Sequence, residues 1–349
     1  MPKIVLKRGQ SGRRVLTGEG DTVWGVHPSV RPWAALIESS SKGKHFFMNF
    51  SYFFELLCGG IVKGSIYALI ALGYTMVYGI IQLINFAHGE IYMVGAFVAL
   101  IVAGMLTLSG YSGMTVLLLA AVGAAIYAAA YGYTLEKIAY RPLRNAPRLS
   151  PLISAIGASI FLMNYVQLAQ TPDFLPFPEL VPDLPFLEPI AQFVSAVDLV
   201  ILIVTTLTMI ALSVLIKYTK VGKAMRATQQ DMVMARLVGI NVDRVISSTF
   251  IIGSVLAAIG GVLIASRTGQ INTAIGFMAG LKAFTAAVLG GIGNIPGAVL
   301  GGLVLGIAET LGAGYISSAY EDVFAFGLLV LILILRPAGL LGKAVKQKV

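Results

Sequence analysis

The 349-residue chain is 57% hydrophobic and 12% charged, and its mean hydropathy is +0.85. Soluble domains carry about 25% charged residues, so this composition excludes an ordinary soluble globule and points to a polytopic membrane protein. The net charge of +9 therefore reads as loop charge rather than a nucleic-acid surface, and a single cysteine, Cys58, leaves no intramolecular disulfide framework or cysteine-based metal site.

In chain order, residues 1–47 come first and differ from the rest. They hold eight Lys/Arg against three Asp/Glu, both Trp residues and no Tyr. Their longest apolar run, 34–37, is too short for the core of a secretory signal. This basic leader is expected to be disordered, or to lie upstream of a true start at Met48. Residues 48–349 are expected to form a single transmembrane domain.

From Met48 onward, apolar runs alternate with short polar breaks. A helix needs about 20 residues to cross the hydrocarbon core. Spans are expected at 64–83, 91–108, 114–133, 152–169, 199–216, 246–265 and 323–335, with a shorter apolar piece at 53–61. The run 281–311 is interrupted at 290–297 and reads as two short helices. The expected fold is an all-α, polytopic membrane helix bundle of eight or nine spans.

The loops differ sharply in charge. Residues 136–148 contain Lys137, Arg141, Arg144 and Arg148 against Glu136. Residues 217–244 carry six basic residues against Asp231 and Asp243, and the tail from Arg336 carries four with no acid. The Pro-rich loop 170–198 has Asp173, Glu179, Asp183, Glu188 and Asp198 with no Lys or Arg. The positive-inside bias puts the three basic segments and the C-terminus in the cytoplasm and the acidic loop outside. That loop is either a plain connection or a platform for an extracytoplasmic partner.

Two breaks interrupt the apolar pattern with polar or flexible residues. Asn85-Phe86-Ala87-His88-Gly89-Glu90 puts three polar side chains at a helix junction, and Gly290–Gly297 reads GGIGNIPG. Irregular backbone at membrane depth survives only when buried in protein or lining a cavity, and in transporters such breaks mark the substrate path. Glu309, late in an apolar run, is a third ionisable residue of interest. Glycines spaced by four, as at Gly60/Gly64, Gly297/Gly301 and Gly302/Gly306, favour close helix packing. No set of His, Cys or carboxylates has metal-ligand spacing, and nothing reads as catalytic. The segment 217–244 reads as a short amphipathic helix or helix pair ended by Gly239, suited either to lipid headgroups or to a partner's groove. The phosphate-binding pattern GxxxxGK[ST] is absent, so active transport needs an ion gradient or a separate ATPase.

Three segments carry a resemblance. GSIYALIALGYTMVYGIIQLINFAHGEIYMVGAF (64–97), GKAMRATQQDMVMARLVGINVDRVI (222–246) and AFTAAVLGGIGNIPGAVLGG (283–302) resemble the LivH-type permeases of bacterial branched-chain amino-acid ABC importers. The resemblance covers 48–349 and not the leader. It implies an inner-membrane subunit that pairs with a LivM-like second permease, two ABC ATPase subunits and a periplasmic amino-acid-binding protein. ATP and Mg would be bound by the ATPases, with no cofactor in this chain. The implied cargo is leucine, isoleucine or valine, and related permeases carry urea, amides or other amino acids. A stand-alone secondary transporter is the alternative from another class. By position within the matched segments, Asn85, His88, Glu90, Asn294 and Pro296 are expected on the translocation path. Gly222, Arg226, Ala227, Asp231, Ala235 and Gly239 are expected in the ATPase-coupling loop.

Overall fold

The computed structural model describes residues 5–8, 14–17, 50–144, 146–147, 149–182, 185 and 193–342. The first unit contains an antiparallel hairpin, β1 (Val5–Arg8) with β2 (Arg14–Thr17); the rest of the expected leader lies outside the described residues.

The second unit, Phe50–Val349, is built of helices. Helix α1 (Phe50–Ile81) is followed by α2 (His88–Leu108), α3 (Met114–Leu135), α4 (Leu149–Ala169) and α5 (Ala196–Tyr218). Two short helices, α6 (Lys220–Gln230) and α7 (Met232–Leu237), lead into α8 (Val242–Thr268). The chain closes with α9 (Ile275–Gly290), α10 (Ile295–Tyr315) and α11 (Glu321–Leu335). Among the described residues, eight helical stretches are long and apolar enough to cross a membrane, and α9 is a shorter ninth.

Two expectations change. The apolar piece 53–61 is not separate: it joins the first span in one 32-residue helix, because Gly59, Gly60 and Gly64 propagate the helix rather than end it. The run 281–311 does divide in two, but α10 is a full 21-residue helix, and only α9 is short.

Helices α1, α2, α8, α9 and α10 form the inner layer, and α4, α5 and α11 lie at its edge with few buried side chains. Glycine makes the inner contacts possible. A Cβ on Gly64 would lie 2.8 Å from Gly302 O and from Leu303 Cα, and one on Gly306 would overlap the Gly64 backbone. Helices α1 and α10 therefore meet backbone to backbone, as the four-residue glycine spacing implied. The pairing of α2 with α8 has the same basis, since a Cβ on Gly95 would lie 2.6 Å from Ala258 Cα.

Contacts sort the connections onto two ends of the bundle. At the end with the basic segments, Arg144 pairs with both Glu136 and Asp243, its Nη1 lying 2.6 Å from Asp243 Oδ1. Arg141 reaches the other Asp243 oxygen at 2.8 Å. This joins the C-terminal extension of α3 to the start of α8. At the same end, segment 337–342 folds back so that the Leu340 and Leu341 amides donate to Leu289 O and Gly290 O at 2.8 and 3.0 Å, satisfying carbonyls at the end of α9. At the opposite end, Arg267 Nε meets Asp198 Oδ1 at 3.0 Å. There, Leu175–Pro176 of the Pro-rich loop pairs antiparallel with Gln270–Ile271.

Candidate functional site

The break between α1 and α2 places polar groups inside the bundle. Gly73 lies eight residues before the end of α1, about 12 Å inward at 1.5 Å per residue. A Cβ on Gly73 would overlap His88 Nε2, so the first residue of α2 sits at that depth rather than at the bundle's end. The connection 82–87 therefore turns back into the protein. Its start is marked by Gln82, whose φ of 53° is the one positive value outside glycine among the described residues.

Three expected path residues converge there. Asn85, His88 and Glu90 are 2%, 1% and 1% exposed. Asn85 Oδ1 accepts a hydrogen bond from Tyr140 Oη at 2.9 Å, and the His88 ring meets Tyr74 edge-on with centroids 4.7 Å apart. Glu90 Oε1 accepts from Ser159 Oγ at 3.1 Å. Its Oε2 is packed against Gly276 of α9, where any side chain would overlap it. The first turns of α2 and α9 thus lie antiparallel and in contact, with Gly280 spaced closely against Gly89. Among the described residues, Thr75 Oγ1, His88 Nε2 and Glu90 Oε2 are buried without a hydrogen-bond partner. Each such group costs about 1–3 kcal/mol, so stability does not account for them.

Asn294 and Pro296 lie elsewhere. The 290–297 break is a turn at the basic end, with Gly291 and Gly293 at φ of 103° and 88°, where L side chains are strained. Asn294 caps α10 and its Nδ2 donates to Leu341 O at 2.7 Å, while Pro296 is exposed in the first turn. The two breaks are therefore not one site.

The coupling-loop residues come together as a helix pair. Thr219 Oγ1 accepts from the Gly222 amide at 3.0 Å and donates to Leu215 O at 2.6 Å, making the corner between α5 and α6. Gly222 is obligatory in that corner, because a Cβ would overlap the carbonyls of Leu215 and Ile216. Arg226 Nη2 donates to Lys217 O at 3.3 Å, across the same corner, and Ala227 O closes α6 by accepting from the Asp231 amide at 3.2 Å. Asp231 separates the helices. Its Oδ1 accepts from the Val233 and Met234 amides at 2.7 and 3.0 Å, capping α7. Ala235 is buried, and Gly239, at φ 84°, ends the pair as the sequence implied. Val233, Met234, Leu237 and Val238 are all more than half exposed, forming an apolar patch on and just after α7.

Several partners of these residues carry no signal in the sequence. Thr75, Tyr140 and Ser159 sit in ordinary apolar runs with no local signal. Glu309 is fully buried and pairs with Lys282 and, at 3.4 Å, with Lys63. Lys63 also pairs with Glu321, and Lys282 Nζ lies 2.7 Å from Asp322 Oδ1. This network ties α11 to α1, α9 and α10. Lys282 could have been flagged as a lone cation in an apolar run.

A family model described as "Branched-chain amino acid transport system / permease component" matches residues 56–333. The chain belongs to the branched-chain amino acid transport permease family. This permease is 50% identical over 304 residues to the high-affinity branched-chain amino acid transport system permease protein LivH of Escherichia coli K12, covering 86% of this chain and 99% of the relative. It is 49% identical to BraD of Pseudomonas aeruginosa, covering 85% and 98% respectively. Among solved structures, PsaBC from Streptococcus pneumoniae in complex with Fab covers 88% of this chain and 97% of its own at 15% identity and a TM-score of 0.36. The permease is a multi-pass membrane protein.

Proposed function

We propose that this permease is the LivH-like half of an ABC importer that moves leucine, isoleucine and valine across the bacterial inner membrane. The observation that carries the reading is the near-full-length 50% identity to a high-affinity branched-chain permease, joined to a buried polar cluster in an otherwise apolar bundle. A branched aliphatic side chain needs an apolar path, and the zwitterionic ends need a few polar groups. Glu90 would meet the ammonium, and the N-terminal turns of α2 and α9 would offer the carboxylate helix N-termini.

The charge asymmetry supports a cytoplasmic basic end and C-terminus. The apolar patch of α7 on that end is a docking face for an ABC ATPase, with ATP and Mg held by that partner. Exposed apolar faces of α4, α5 and α11 suit lipid and a LivM-like second permease. The acidic loop at the opposite end suits a periplasmic binding protein that delivers the cargo. ATP binding would move α6 and α7, and the glycine-packed helices would switch between outward-open and inward-open arrangements.

The test is competition. Cells or vesicles holding the full complex and its binding protein are given labelled leucine with unlabelled isoleucine, valine, urea or acetamide. Isoleucine and valine are expected to compete and the amides not to. Leucine uptake that urea suppresses and isoleucine and valine do not would overturn the substrate assignment.

A further inference from the structure

The buried polar residues lead back to one short segment. Residues Glu136–Tyr140, directly after α3, form a π-helix, a wide turn that is uncommon and recurs at functional sites. Tyr140 is buried, and its hydroxyl donates to Asn85 Oδ1 at 2.9 Å. The Asn85 carbonyl in turn accepts from the His88 amide at 3.0 Å, so Tyr140 holds the break at the point where α2 begins. Ala139 O accepts from Ser154 Oγ at 3.1 Å, and Ser159, one helical turn further along α4, donates to Glu90 Oε1 at 3.1 Å. Asn85 and Glu90 are thus tied to the same π-helix, one directly and the other through α4.

The other side of the segment is held by α8. Glu136 is fully buried, pairs with Arg144, and accepts at Oε2 from Ser247 Oγ at 2.6 Å. Asp243 holds both Arg141 and Arg144, and the Phe250 ring packs against Tyr140 with centroids 5.1 Å apart. Asp243, Ser247 and Phe250 stand at i, i+4 and i+7, one face of α8. Only residues 238–241 separate α7 from α8, and Asp243 lies in the first turn of α8. Printed contacts therefore run without a gap from the end of α7 to Asn85.

We propose that the π-helix Glu136–Tyr140 transmits movement of the coupling helices to the buried polar residues, with Tyr140 as the positioning residue that passes it to Asn85. A buried hydrogen bond is directional and has no water to replace it, so it keeps its partners together while the helices around them shift. The proposal rests on the transport reading above and adds a route and a residue to it.

The test follows amide hydrogen exchange of the permease in the complete reconstituted complex, with and without ATP trapped by vanadate. In the parent, trapping is expected to change exchange over both 220–237 and 82–90. Tyr140→Phe keeps the ring against Phe250 and removes only the hydroxyl. It is expected to keep the change over 220–237 and lose the change over 82–90. A purely structural role would raise exchange in both nucleotide states and leave the response in place. In a second arm, leucine moved per ATP hydrolysed is expected to fall about 2- to 30-fold in Tyr140→Phe. The same fall is expected in Asp243→Ala, which cuts the route at a half-exposed position on α8. A parent that responds over 220–237 and not over 82–90 overturns the route. A full response over 82–90 in Tyr140→Phe overturns the role of its hydroxyl. Unchanged leucine per ATP in both variants overturns the link to transport. If the parent complex takes up no leucine, the transport reading fails instead.

Discussion

Removing the cap between the two coupling helices is the sharpest single perturbation. Asp231 Oδ1 accepts from two amides at 2.7 and 3.0 Å, and α7 is only six residues long. A helix that short has no stability of its own in water. Replacing an N-cap Asp with Ala costs about 0.5–2 kcal/mol of helix stability. If the ATPase binds only the ordered helix, that cost lowers its affinity by about 2- to 30-fold. Asn keeps the acceptor in the same place and is as good an N-cap. The expected order of ATPase affinity, measured with the purified permease in nanodiscs, is parent, then Asp231→Asn close behind, then Asp231→Ala well below. Equal affinity for parent and Asp231→Ala refutes the capping argument. An Asp231→Asn loss as large as the Ala loss refutes it too, because charge rather than the cap would then be responsible.

Three further outcomes are expected. Glu90→Gln keeps the Ser159 hydrogen bond but removes the carboxylate charge, so leucine uptake should fall about tenfold or more with the protein level unchanged. Gly306→Leu drives a side chain into the Gly64 backbone and should abolish accumulation of the folded permease, whereas Gly104→Ala, with open space around it, should be neutral on a Western blot of membranes. Arg144→Met strips the partner from fully buried Glu136 and should cost about 3–5 kcal/mol, seen as a large drop in melting temperature. Arg141→Met, at a half-exposed pair, should cost about 1 kcal/mol or less.

Much of this architecture is legible in the sequence because membrane constraints are local. Apolar runs, basic loops and glycine at four-residue spacing each act over a few neighbouring residues, and all reappear as spans, a basic end and backbone-close helix contacts. The helix pair within 217–244 and its end at Gly239 follow from the same local rules. What the sequence hides is pairing across distance. Glu90 is visible as a polar residue at a helix start, but its partner Ser159 and its neighbour Gly276 come from helices far along the chain. Lys63 and Lys282 each look like isolated cations in apolar runs until Glu309, Glu321 and Asp322 are brought to them. Asn85 and Asn294 look alike in sequence, as polar residues at helix breaks. One turns inward beneath Tyr140, and the other caps a helix at the bundle's end.

This chain is expected to move branched-chain amino acids only as part of an ATP-driven complex. Labelled leucine uptake into proteoliposomes decides it, comparing this chain alone with the chain plus a LivM-like permease, two ABC ATPases, the binding protein and internal ATP. Uptake above background only in the complete set, lost when ATP is replaced by a non-hydrolysable analogue, is the predicted result. Gradient-driven leucine uptake by this chain alone would contradict it.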